Sequence, residues 1–100
     1  MQNPDIFKPA TRPVFTVDYS DLGTFVQEKY GTYLEITEAS NDSTIACNTD
    51  LKYFDEQDEE KARELIEDGD CRAWEVSSII KLLFKDGHIV DGDYNVDVCW

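Results

Sequence analysis

The spacing of apolar side chains along the chain changes period several times, and each change marks an element. Pro13-Val-Phe-Thr-Val17 is a β-branched and aromatic run that predicts a first strand. Leu22, Phe25, Val26 and Tyr30 then recur at helical offsets and form one apolar face. Asp18 or Ser20 can cap this helix, and Gly31 stands just past its end, where a left-handed residue is wanted. Gly23 lies inside it at a cost of about 1 kcal/mol relative to Ala, so packing must supply the stability. From Tyr33 to Ala39 the period falls to two, with Leu34 and Ile36 on one side and Glu35 and Thr37 on the other. Ser40-Asn-Asp-Ser43 is a turn cluster, and Thr44 to Cys47 follows as a short partner strand, so residues 33–48 read as a hairpin. Asp50 to Phe54 fits either an extension of that strand or the approach to the next helix.

Asp55 to Asp68 predicts a second helix whose apolar stripe is thin: Ala62, Leu65 and Ile66, with Gly69 as its stop. A third helix runs from about Ala73 to Asp86, and Gly87 ends it. Its Val76, Ile79, Ile80, Leu83 and Phe84 form the strongest apolar face in the chain. Asp93 to Trp100 alternates strictly, with Tyr94, Val96, Val98 and Trp100 on one face and Asp93, Asn95, Asp97 and Cys99 on the other. That pattern predicts a half-exposed strand, one able to form a sheet edge whose Asp residues would repel a second copy. Residues 1–12 hold two prolines and no periodicity, and read as an extended arm that Ile6 and Phe7 could pin to the core.

The order is thus β-α-β-β-α-α-β over residues 13–100, a single α+β domain. The expected architecture is a four-stranded antiparallel-type sheet with helices on one face, a ferredoxin-like layout once one helix is set aside. With 41% hydrophobic and 12% aromatic residues, 100 residues can bury one core.

Charge changes the picture more than any motif does. Acidic residues number 22 against 9 basic, a net of −13. This excludes a module that grips nucleic acid by its phosphates, and it disfavours an anionic membrane. No stretch is apolar enough to span a bilayer, and the N-terminus lacks the pattern of a signal peptide. Cys47, Cys71 and Cys99 are odd in number, widely spaced and without a Cys-x-x-Cys, so they read as reduced, mostly buried thiols of a cytoplasmic protein. His88 is the single histidine, placed at a helix end where the dipole favours it, and no phosphate-cradling glycine loop is present. An enzyme, a cofactor and a metal centre are not expected. Asp91-Gly-Asp93-Tyr-Asn95 begins like a calcium loop, but Val96 stands where its glycine belongs.

The acids concentrate in residues 55–70: Asp55, Glu56, Asp58, Glu59, Glu60, Glu64, Glu67, Asp68 and Asp70, against Lys61 and Arg63 alone. Acids at the start of a helix complement its dipole, which accounts for Asp55 to Glu60. Glu67 and Asp68 sit at the opposing end, and Asp86 does so in the third helix. Sixteen helical residues span roughly 24 Å, over which duplex DNA carries about 14 charges, so nine acids reach about two thirds of that density. Asp93 and Asp97 add a second acidic surface on the last strand. Their spacing from Leu65 and Ile66 predicts that Asp55, Glu59 and Glu67 face solvent. Tyr53, Phe54, Trp74, Tyr94 and Trp100 lie near the acidic segments, and a patch of such aromatics is a second way to bind a protein.

In general character the chain resembles the small, acidic, single-domain phage-encoded antagonists of bacterial defence, the anti-CRISPR and DNA-mimic proteins. The resemblance implies an inhibitor that occupies the nucleic-acid-binding surface of a basic partner, such as an RNA-guided nuclease, in the host cytoplasm, without touching nucleic acid itself. The binding residues would be the nine acids of residues 55–70 together with Asp93 and Asp97. The alternative is an interaction or regulatory module that binds through its aromatics, its charge serving solubility.

Overall fold

A computed structural model describes residues 13–99. The chain is α+β. Its elements are β1 (Val14–Asp18), α1 (Tyr19–Tyr30), β2 (Glu35–Thr37), β3 (Ser43–Asn48), α2 (Glu56–Asp68), β4 (Asp70–Arg72), a single 3₁₀ turn (Ala73–Glu75), α3 (Val76–Lys85) and β5 (Asp93–Val98). The expected arm at residues 1–12 and the orientation of Trp100 lie outside the described residues.

The helix boundaries follow from local chemistry. Asp18 caps α1 by accepting from the backbone of Ser20 at 3.0 Å, and Gly31 closes it at φ 89°. Asp55 caps α2 by accepting from Asp58 N at 2.9 Å while the Asp58 carboxylate reaches back to the Asp55 amide, a reciprocal capping box. Gly69 ends α2 at φ 79° and donates to the carbonyls of Leu65 and Ile66.

The sheet corrects the expected one. Instead of four antiparallel strands there are two sheets, one ordered β1-β5-β3 and one pairing β2 with β4. β1 runs parallel to β5, β3 antiparallel to β5, and β2 parallel to β4. The turn at residues 40–43 exists, with Asp42 at φ 61°, but the strands it joins do not pair, so there is no hairpin over 33–48. β2 has one buried position, Ile36, and pairs it with buried Cys71 of β4. β4 escapes a periodicity search because three residues with one apolar side chain carry no pattern. The last strand, β5, is the centre of its sheet and not an edge.

β5 sits centrally because both neighbours bury the same face. Tyr94, Val96 and Val98 point inward in register with Phe15 and Val17 of β1 and with Ser43, Ile45 and Cys47 of β3. α1 and α3 cover this inner face, and α2 packs on α3 and β4. α3 fills the centre: Val76, Ile79, Ile80, Leu82 and Leu83 are all buried. Gly23 is where α1 meets the start of β2. A Cβ there would collide with the Leu34 carbonyl oxygen and the Tyr33 ring, so the residue that weakens the helix is the one that allows the approach.

Candidate functional site

The second helix turns a distinct face to solvent. At about 100° per residue, Ala62 and Ile66 mark the side that packs inward. On the opposite side Glu56, Glu60, Glu64, Glu67 and Asp68 fall within an arc of about 120°. All five are exposed, and among the described residues none has an ion pair or side-chain hydrogen bond. Lys61 and Arg63 flank the arc, one at each border. From Glu56 to Asp68 the ridge runs roughly 18 Å, one carboxylate per ~4.5 Å, against one phosphate per 3.4 Å along a DNA strand.

Asp70 continues the ridge beyond Gly69. In the β2–β4 register it lies beside Glu35, which is also exposed. Adjacent like charges on paired strands oppose the pairing, so this contact adds to the charge held against local preference. Glu35 was not legible as part of an acidic surface, because only the strand pairing brings it to Asp70. The last turn of α2 holds Glu67 and Asp68 and no basic residue, so the helix dipole opposes them as well.

The remaining acids have structural work. Asp55 and Asp58 are the capping box. Glu59 does not stand free in solvent as its spacing predicted: it accepts from Arg63 at 2.9 Å and from Lys85 of α3 at 2.6 Å. These two hydrogen bonds, Lys85 foremost, hold its carboxyl below the ordinary value. Asp86 is likewise no unexplained charge at a helix end. It takes two hydrogen bonds from the Arg63 guanidinium, at 3.2 and 2.9 Å, and one from the Tyr30 hydroxyl at 2.6 Å. Partial burial pushes the Asp86 carboxyl up, but these donors outweigh it and the net shift is downward. Burial and the neighbouring Asp86 push the Tyr30 hydroxyl up. Through Arg63 the network ties α1, α2 and the end of α3 together.

Asp93 and Asp97 are not part of the ridge. With Asn95 they alternate onto the outer face of the three-stranded sheet, away from the helical layer. There Asp97 accepts from Thr44 Oγ1 at 2.9 Å. The eleven candidate acids thus separate into a solvated ridge, a set that caps and clamps α2, and a pair on another surface.

The aromatic candidates separate too. Tyr94 is core, stacked on Phe15 at 4.9 Å between centroids, and Phe54 is half-buried. Tyr53 and Trp74 stand out, 83% and 67% exposed, each with a cation over its ring: Lys52 at 5.3 Å and Arg72 at 5.9 Å. Cys47 and Cys71 are buried, and burial pushes their thiols up to about 11 and about 12, which keeps them protonated at neutral pH. Asp91, the first residue of the calcium-like stretch, accepts a hydrogen bond from the buried Thr49 hydroxyl, and Asp93 and Asn95 belong to β5. Among the described residues no group of three or more His, Cys, Asp or Glu is placed to hold a metal ion, and no helix is long and apolar enough to cross a membrane. No family model matches the chain, and no curated protein or solved structure matches it either.

Proposed function

We propose that this protein is an acidic inhibitor that binds another protein, laying the α2 ridge into a basic groove that otherwise holds a nucleic-acid backbone. One observation carries the reading: five carboxylates in a row on α2, none with a partner among the described residues, at a spacing near that of phosphates along one strand. Carboxylates needed for folding would be paired, as Asp55, Asp58, Glu59 and Asp86 are. Those needed only for solubility have no reason to crowd one arc of one helix, where they repel each other and where Glu67 and Asp68 also oppose the dipole. The partner is a basic nucleic-acid-handling protein, and an RNA-guided nuclease of a bacterial defence system has the required surface. The protein itself performs no chemistry in this reading and requires no cofactor.

The test is competition. A nucleic-acid-binding partner captured on the immobilised protein at low salt should release its DNA or RNA as the protein is added, and binding should weaken as salt rises. Reversing Glu56, Glu60, Glu64 and Glu67 to Lys should abolish both effects. Capture that survives high salt and the reversal would instead favour the second reading, an interaction module bound through Tyr53 and Trp74. The exposure of those two rings is what supports it.

A further inference from the structure

Among the described residues the three-stranded sheet ends at β1 on one side and at β3 on the other. Edge strands offer unpaired N–H and C=O groups, and proteins commonly guard them with charge or proline. β1 follows Pro13 and ends in Asp18, and the short strands of the second sheet carry Glu35, Asp70 and Arg72. β3 reads Ser43-Thr-Ile-Ala-Cys-Asn48, with no charged residue in a chain of −13. The edge that the aspartates of residues 93–97 were expected to defend is thus formed by a strand without that defence.

One hydrogen bond sets the direction of the β3 backbone groups. Thr49 N donates to Gly92 O at 3.2 Å, in continuation of the antiparallel register of β3 with β5. Alternation from there turns the N–H and C=O groups of Cys47, Ile45 and Ser43 toward β5, and those of Thr44, Ala46 and Asn48 toward the free edge. All three of the latter are exposed, Ala46 with no more than a methyl to contribute. At Asn48 the carbonyl accepts from Lys81 Nζ at 3.2 Å, and the side-chain oxygen accepts from the same ammonium at 2.8 Å.

We infer that β3 pairs antiparallel with β3 of a second copy, about a two-fold axis at Ile45, to make one continuous sheet ordered β1-β5-β3-β3-β5-β1. With Ile45 opposite the partner's Ile45, Thr44 faces the partner's Ala46 and Ala46 the partner's Thr44, and both pairs exchange both of their backbone hydrogen bonds. An axis at Thr44 calls instead on Asp42, whose φ of 61° is not that of a strand, and an axis at Ala46 calls on the Asn48 carbonyl, which Lys81 holds. A slip of one residue sets outward-facing groups against inward-facing ones. In the register about Ile45 the two half-buried isoleucines meet with Cα atoms about 4.5 Å apart and cover each other. Asp97, beside Thr44 in the β5 register, comes into line with the partner's Asn95 and not with a like charge. The partner's Asp42 comes beside Asn48, where the Lys81 ammonium sits. The occupant is a second copy because hydrogen bonds, Ile45 and charge are all self-complementary here. The pairing does not depend on the α2 ridge or on what the ridge binds.

The experiment is sedimentation of the full chain from micromolar to millimolar concentration at low and high salt. The expected result is a concentration-dependent dimer that tightens as salt rises, because screening relieves repulsion between copies of charge −13. Binding through the ridge has the opposite salt dependence. Ala46→Pro deletes an outward N–H that the single copy does not use in its sheet, so it should fold, and dimerisation should weaken by about tenfold or more. In a Cys99→Ser background, Ile45→Cys should give a disulfide-linked dimer under diamide, while Thr44→Cys, too far from its own copy across the axis, should not. A protein that stays monomeric at millimolar concentration and high salt would overturn the inference. So would a folded Ala46→Pro variant that dimerises as tightly as the unmodified protein, or a dimer that Ile45→Cys fails to link. The cross-link decides the matter even where Ala46→Pro does not fold.

Discussion

Helices α2 and α3 pack against each other, yet α2 buries Ala62 and Ile66 of its thirteen residues while α3 buries five of ten. α3 packs on β3 with five buried side chains at the centre of the core; α2 rests on α3 by a narrow stripe and is clamped through Glu59 and Arg63. The difference teaches where selection for folding and selection for a surface can act separately. The five buried residues of α3 cannot change without disturbing the core, whereas the exposed residues of α2 outside its cap and clamp can change freely as far as folding is concerned. That freedom makes the presence of five unpaired carboxylates on one arc of α2 informative.

The largest break in the comparison should come from the core side. Ile80→Ala removes a side chain that is 1% exposed and should cost about 2–5 kcal/mol in chemical denaturation. A loss near that of a surface substitution would mean that α3 is not the centre of the core. Next, α1 tests whether packing or propensity governs the helices. Gly23→Ala improves helix propensity by about 1 kcal/mol, but its Cβ meets the Leu34 carbonyl, so a net loss of about 1–3 kcal/mol is expected. A stabilised variant would show that α1 can move away from β2 at no cost.

The clamp between the helices should come third. Asp86→Asn removes the charge that faces Arg63 and should cost about 1–2 kcal/mol, reduced from a fully buried charged hydrogen bond because the guanidinium is half exposed. The same variant sharpens the pH dependence. Asp86 and Glu59 are both held below their ordinary values of 3.8 and 4.5. A depressed carboxyl contributes stability above its unfolded value, and this is lost as pH falls through the folded one. Stability from the clamp should therefore be complete at neutral pH and decline below about pH 4.5. Protonating the ridge relieves repulsion in both proteins alike, so the difference between their melting curves isolates Asp86. Asp86→Asn should lose less stability than the unmodified protein between neutral pH and about pH 3.

The smallest effect on folding and the largest on binding should come from the ridge. Reversing Glu56, Glu60, Glu64 and Glu67 to Lys takes the net charge from −13 to −5. Thermal stability should stay within about 0.5 kcal/mol or improve, since each side chain is solvated. A destabilised variant would give the ridge a structural role and remove the argument for a partner.

The elements of this fold were legible one by one. Gly31, Gly69 and Gly87 stop their helices, Asp18 and Asp55 start them, and the alternation at Tyr94, Val96 and Val98 names the buried face of β5. The helices could be read because caps and periods act within a few residues, and the charge density of residues 55–70 is a property of composition. Strand partners depend on surfaces far apart in sequence. A turn at residues 40–43 suggests a hairpin, yet Ile36 buries itself against Cys71 and Ile45 against Val96, so the neighbours of the turn part company. The division of the acids was hidden for the same reason. Glu59 has Arg63 four residues on where Glu60 has Glu64, but only the arrival of Lys85 from α3 and of Asp86 against Arg63 turns that local pair into a clamp between helices while Glu60 stays in solvent. The sequence by itself determined how much negative charge α2 carries and which side of it is apolar. The tertiary structure decided which of these charges are tied to the rest of the fold, because Lys85 reaches Glu59 from α3 and Arg63 reaches Asp86 only when the helices pack.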